Sequence, residues 1–217
     1  MIKQKNKKLT MEQKKKISGR NITIVKLLGS IIFLIVALFI ASYAVKQLYV
    51  HYPNLEVSRD IFLDRVAFVN LSWLSDVLIL VGLGLFVLFV IKKNKFRKIP
   101  FYCIVLGMFH LIRAIFIYLT PLANPFPLKE WGLNLSPIGG MFPSGHTATL
   151  ILYFLFSLEE KSSIKWKVLF LIIIIAEIIT LLVSRGHYTI DVLGAIFIAY
   201  TVHSLSKKYL SKHLIIK

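Results

Sequence analysis

Three residues in this chain have the types and spacing to do chemistry: His146, His187 and Asp191. His187 and Asp191 are spaced i, i+4, which in a helix stacks two side chains on one face, about 6 Å apart along the axis. A carboxylate so placed accepts a hydrogen bond from one ring nitrogen, fixes the tautomer and leaves the other nitrogen basic and nucleophilic. His146 follows Pro143-Ser144-Gly145, where proline suits a first helical turn and serine and glycine keep the backbone accessible. A second histidine across a site can act as general acid for a leaving group. Two other readings stand beside this one. The pair is a structural hydrogen bond at a helix end, with His146 an interfacial residue, or His146, His187 and Asp191 are ligands of a metal ion.

The elements that must position these residues are apolar. The chain has 217 residues, 57% of them hydrophobic and only 17% charged, with a mean hydropathy of +0.73. That balance excludes an ordinary water-soluble domain. Stretches near the roughly 20 residues needed to cross a hydrocarbon core run from Ile22 to Val50, Leu74 to Ile91, Phe101 to Leu122, Pro143 to Leu158, Val168 to Ser184 and His187 to Leu205. The first is longer than the apolar core of about 7–15 residues found in a signal peptide, so it reads as an uncleaved membrane helix. The expected fold is all-α, an integral membrane bundle of six transmembrane helices. A basic tail occupies residues 1–21, a membrane catalytic domain 22–206 and a second basic tail 207–217.

Charge orients this bundle. The net charge is +17, and 21 of the 27 Lys and Arg lie at or before Lys26, in Lys92 to Lys98, in Lys161 to Lys167 and from Lys207 onward. Six alternating crossings put all four segments on one side, and the positive-inside rule makes that side cytoplasmic, with both termini there. His146 and His187 then share the opposite, extracytoplasmic face, of the cell membrane. No basic face interleaved with base-stacking aromatics is present, so nucleic acid is not an expected partner. The single cysteine, Cys103, excludes an internal disulfide and a cysteine zinc site.

Ionisable residues inside spans are costly and invite a functional explanation. Glu177 lies mid-helix in the fifth run, and Thr180 and Ser184 follow at i+3 and i+7, a polar stripe leading to Arg185 and His187. The stripe either lines a headgroup or proton pocket, with Glu177 pairing with Arg113 or assisting an acceptor hydroxyl, or it glues helices together. Arg185 either binds phosphate or snorkels to the interface. Lys129, Glu130 and Trp131 either cap the site or form an interfacial tryptophan beside a solvated charge pair.

Pro143-Ser144-Gly145-His146 resembles the central motif of the type-2 phosphatidate phosphatase and vanadium haloperoxidase superfamily, and His187 with Asp191 resembles the H-x-x-x-D end of its last motif. The interval of about forty residues between them also fits, each motif leading into an apolar helix. The string His187-Tyr188-Thr189-Ile190-Asp191-Val192 looks like that of the sphingomyelin synthase branch. This resemblance implies phosphoryl or phosphodiester transfer in two steps without metal or other cofactor. His187 would attack phosphorus to form a phosphohistidine, Asp191 would orient it, and His146 would protonate the leaving oxygen. Ser144, Gly145, Arg185, Arg113 and Glu177 are the candidate substrate-binding residues, since backbone N–H groups and cations stabilise phosphoryl oxygens.

The chain also departs from the superfamily. Ser184-Arg185 stands only one residue before His187, Leu181 occupies the position of the usual arginine, and the first lysine-arginine motif is absent as a string. Arg113, in the third run, is the best substitute, unless it serves as an ion-pair partner of Glu177 or Asp76. A site with few cations is better suited to a phosphodiester than to a dianionic phosphomonoester. The expected function is therefore a membrane lipid phosphotransferase or phosphatase acting on a phospholipid or lipid phosphate. Hydrolysis of phosphatidic acid or an isoprenyl diphosphate is the alternative within that class, and a non-enzymatic lipid transporter the alternative outside it.

Overall fold

The computed structural model describes residues 11–126, 141–160 and 162–215. Lys129, Glu130 and Trp131 lie outside the described residues. Among those described, all regular structure is helical: α1 (Met11–His51), α2 (Ser72–Lys92), α3 (Ile99–Leu119), α4 (Gly145–Glu159), α5 (Ile164–Val183), α6 (Thr189–Tyr209) and the short α7 (Ser211–Leu214). Two single 3-10 turns, Leu63–Arg65 and Phe96–Lys98, punctuate the connections. The helices form where apolar runs lack internal proline. The one proline in a long helix, Pro100, sits in the first turn of α3, where its missing N–H is not needed.

Among the described residues, five helices are long and apolar enough to cross a membrane: Thr23–Leu48 within α1, α2, the Phe96–Leu119 stretch containing α3, α5 and α6. The fourth expected crossing differs. α4 has 15 residues, a length of about 22 Å, so it falls short of a hydrocarbon core of about 30 Å by itself. From Met11 onward α1 is already helical, inside the stretch 1–21 expected to be a basic tail, because Lys, Gln and Glu are good helix formers.

α1 lies along α3, while α4 packs against α5 and α6 and α2 packs against α5. Glycines permit two of the close approaches. A Cβ on Gly107 of α3 would stand 2.6 Å from the Phe33 ring of α1, and one on Gly82 of α2 would stand 2.2 Å from the Leu150 side chain of α4. The core is aromatic. Phe86 stacks on Tyr153 at 4.3 Å between ring centroids, and Tyr102 meets Phe156 at 4.4 Å. Large exposed apolar side chains such as Ile32, Phe39, Leu80, Ile172 and Phe197 occur on the outer surface of the bundle, as hydrocarbon requires.

Carboxylates fix the C-terminal end of α4. The buried Glu160 carboxylate is held by Lys95 at 2.5 Å and by Lys98, with the Tyr102 hydroxyl at 3.3 Å. Glu159 lies 3.2 Å from Lys207 and 3.2 Å from the buried ring of His203. These pairs tie the short helix to the α2–α3 turn and to α6. They set the depth at which its other end, bearing His146, stands.

Candidate active site

α4 starts at a serine cap. Ser144 is buried with an extended backbone, and its Oγ accepts the Thr147 N–H at 3.4 Å, satisfying one of the free donors of the first turn. Its own N–H donates to the Asp191 carbonyl at 3.0 Å. The two motifs are thus joined by a backbone hydrogen bond. Ser144 positions the turn, and its side chain does not reach the cavity described below.

The His187–Asp191 pair forms, but differently from the expected helical stacking. α6 begins at Thr189, so His187 precedes the helix and Asp191 lies in its first turn. Asp191 Oδ2 accepts the Tyr188 N–H at 2.9 Å, a reciprocal cap that fixes the carboxylate, and the His187 Nδ1 lies 3.1 Å from the same oxygen. With Nδ1 directed at the carboxylate, Nε2 is the nitrogen left for chemistry. Both side chains are buried.

Arg113 enters from α3. Its Nε donates to the Pro143 carbonyl at 3.0 Å, and its charge acts on Asp191, His146 and His110. Gly145 lies against the guanidinium: a Cβ there would stand 3.2 Å from Arg113 Nε. His146 and His187 are within electrostatic reach of each other. His110, one turn before Arg113, joins the group. The sequence reading gave it no role, although an ionisable residue at i−3 from an intramembrane arginine was a signal that could have found it.

A cavity of about 450 Å³ passes through this group. One end is polar, lined by His110, Arg113, Gly145, His146 and His187, and the other runs down between Leu34, Leu38, Ile79, Leu83, Leu106 and Tyr153. From Leu34 to Val45 the wall contributed by α1 extends about 16 Å along the helix axis. A polar end joined to an apolar slot has the shape of a site for an amphiphile.

Two expected binding residues stand elsewhere. Glu177 is buried between α5 and α2, where its Oε1 accepts the Ser75 hydroxyl at 2.6 Å, and it does not line the cavity. Thr180 and Ser184 continue that stripe by an internal bond, Ser184 Oγ to the Thr180 carbonyl at 2.6 Å. Arg185 has a left-handed backbone, φ 54°, in the turn after α5, and its Nη2 donates to the Leu63 carbonyl at 3.3 Å. Neither residue touches the cavity, and Gly186 lines it where Arg185 does not. Among the described residues, no group of three or more His, Cys, Asp or Glu side chains is placed to hold a metal ion.

The segment 52–71 covers the start of α6, a role with no signal in the sequence. Asp60 Oδ2 accepts the Thr189 N–H at 2.6 Å and Oδ1 the Thr189 hydroxyl at 3.0 Å, while the Ser58 N–H donates to the Tyr188 hydroxyl at 3.0 Å. Partial burial raises the Asp60 pKa, but hydrogen bonds from Thr189, Leu63 and Phe62 outweigh it and hold the carboxyl below its ordinary 3.8.

Comparison with known proteins finds family matches over two stretches of the chain. Residues 139–208 match the family model described as PAP2 superfamily C-terminal, and residues 17–101 match UPF0114, an uncharacterized protein family. Phosphatidylcholine:ceramide cholinephosphotransferase 1 of Rattus norvegicus and of Mus musculus are each 28% identical to the chain over 172 residues, covering 64% of it and 40% of the relative. The chain therefore matches about two fifths of the length of these relatives. The comparisons support the resemblance carried by the two histidine motifs: residues 139–208, with His146, His187 and Asp191 among them, match the PAP2 superfamily C-terminal model, and the chain is similar to these two cholinephosphotransferases.

Proposed function

We propose that the protein is an integral-membrane enzyme that transfers a phospho-headgroup between lipids through a phosphohistidine on His187. The observation that carries this reading is the amphipathic cavity, with His187, His146 and Arg113 at its polar end and an apolar slot below. Its volume of about 450 Å³ falls within the range of roughly 300–1,000 Å³ for small-molecule sites. His187 Nε2 attacks phosphorus, and the bond to the glycerol oxygen of the donor breaks. His146 gives its proton to that oxygen, releasing a neutral diacylglycerol. An acceptor hydroxyl then attacks the phosphohistidine, losing its proton to His146 and restoring free His187. Asp191 holds the His187 tautomer throughout. Arg113 and the backbone N–H groups of Gly145 and His146 balance charge on the phosphoryl oxygens.

One arginine in the cavity, with Arg185 occupied at Leu63, favours a monoanionic phosphodiester over a dianionic phosphomonoester. In the proposed topology six helices cross, both termini are cytoplasmic and the site opens on the extracytoplasmic face of the cell membrane. Hydrolysis is the second reading, supported by the complete Pro143-Ser144-Gly145-His146 string. Purified protein given a phosphatidylcholine-type or phosphatidylethanolamine-type donor and an acceptor lipid is expected to make a new phospholipid in proportion to acceptor. Inorganic phosphate released from phosphatidic acid, with no dependence on acceptor, would overturn transfer in favour of hydrolysis.

A further inference from the structure

A second cavity, of about 540 Å³, lies next to the first and has no part in the chemistry proposed for His187. Arg59, Arg65 and Asp60 of the 52–71 segment are its charged lining, and Phe62, Ile190 and Leu193 belong to its apolar one. Among the described residues neither arginine has an ion-pair partner. The nearby carboxylate is already engaged: Asp60 accepts from the N–H groups of Phe62, Leu63 and Thr189 and from the Thr189 hydroxyl. Although Glu56, Asp60 and Asp64 lie on the same segment, both guanidinium groups are left open to an anion.

The apolar side of this cavity continues along α6. Ile190, Leu193 and Phe197 are 56%, 45% and 69% exposed, and their i, i+3, i+7 spacing puts them on one stripe of the helix. That stripe begins at the end of a membrane-length helix and runs toward its middle. Two cations at the end of such a helix, with an exposed apolar stripe directly below, complement both parts of a phospholipid. A soluble anion would use the arginines alone and leave the apolar lining in water.

We propose that this cavity docks an anionic phospholipid from the surrounding leaflet, its phosphate against Arg59 and Arg65 and an acyl chain along Ile190, Leu193 and Phe197. Tyr188 links the two sites. Tyr188 lines the second cavity, its hydroxyl accepts the Ser58 N–H, and its own N–H donates to Asp191 Oδ2. A headgroup bridging Arg59 and Arg65 braces the segment that holds Tyr188 in place.

The test is binding, with no turnover in the readout, so its outcome is independent of what His187 does. Purified full-length protein in mixed micelles with phosphatidylglycerol and phosphatidylcholine is examined by native mass spectrometry for retained lipid. Preferential retention of phosphatidylglycerol is expected, lowered roughly tenfold or more in Arg59→Gln/Arg65→Gln, on the scale of two cationic contacts at a lipid surface. Arg59→Lys/Arg65→Lys should keep the preference, which guards against a folding defect in the glutamine variant. Lys93→Gln/Arg97→Gln, at the other end of the bundle, should match the parent. Equal retention of the two lipids, or undiminished phosphatidylglycerol in a folded glutamine variant, would overturn the proposal. Displacement of the lipid by excess inorganic phosphate would also overturn it, reducing the cavity to a plain anion site.

Discussion

At the scale of single residues, the site depends on which nitrogen of His187 is free. Asp191 Oδ2 lies 3.1 Å from Nδ1 and is itself fixed by the Tyr188 N–H. Asp191→Asn keeps the shape but supplies an amide that can favour the wrong tautomer, so kcat should fall about 10³–10⁴-fold with little change in KM. Steady-state kinetics on a labelled donor would measure it, and an equal rise in KM would instead indicate a binding role. Gly145→Ala places a methyl against the Arg113 guanidinium. The expected loss in kcat/KM is roughly tenfold, about one hydrogen bond to a charged group. The grouping of His146, His187 and Asp191 around a serine turn was legible from residue types and spacing. Glu177 and Arg185 were drawn into the same reading because helical periodicity gives the face a residue occupies, not the neighbour it meets. Ser75 on α2 takes the first and the Leu63 carbonyl the second.

At the scale of elements, α4 and the 52–71 segment do the positioning. α4 brings His146 to the site from an anchor at its other end, where Glu160 sits between Lys95 and Lys98. Glu160→Ala leaves two lysines without their shared partner and should lower stability by about 1–3 kcal/mol, seen as a lower melting temperature in detergent. The segment over α6 is held by Asp60, whose pKa is depressed in the folded state. Its contribution to stability is therefore complete above the ordinary value of 3.8 and is lost as pH falls through the lower folded value. Asp60→Asn should remove that acid-dependent step and cost about 1–2 kcal/mol at neutral pH, because one of the two accepting oxygens and the charge on both bonds are lost. Thermal melts across acidic pH in the parent and variant would measure both effects. The long apolar runs announced the spanning helices, while the start of α6 after His187 was hidden. Spacing alone did not say that Asp191 would cap the helix rather than sit inside it.

At the scale of the whole molecule, hydropathy and charge have separate consequences. The apolar fraction supplies five helices of spanning length and the shorter α4, whose C-terminal carboxylates meet lysines of the basic end. The proposed orientation rests on the lysines and arginines through the positive-inside rule. In a Cys103→Ser background, Asn54→Cys and Ser211→Cys should label from opposite sides of sealed cells, Asn54→Cys from outside. The cavity was not legible in the sequence, because its walls come from α1, α2, α3 and α4 and from the turn before α6, and only packing brings them together. The most direct test of the central claim is to trap the intermediate. Brief exposure to a donor labelled in its phospho-headgroup, followed by acid-free denaturation and peptide mapping, should place the label on His187 and find none in His187→Ala. Label retained in the His187→Ala protein, or turnover there equal to the parent's, would contradict it.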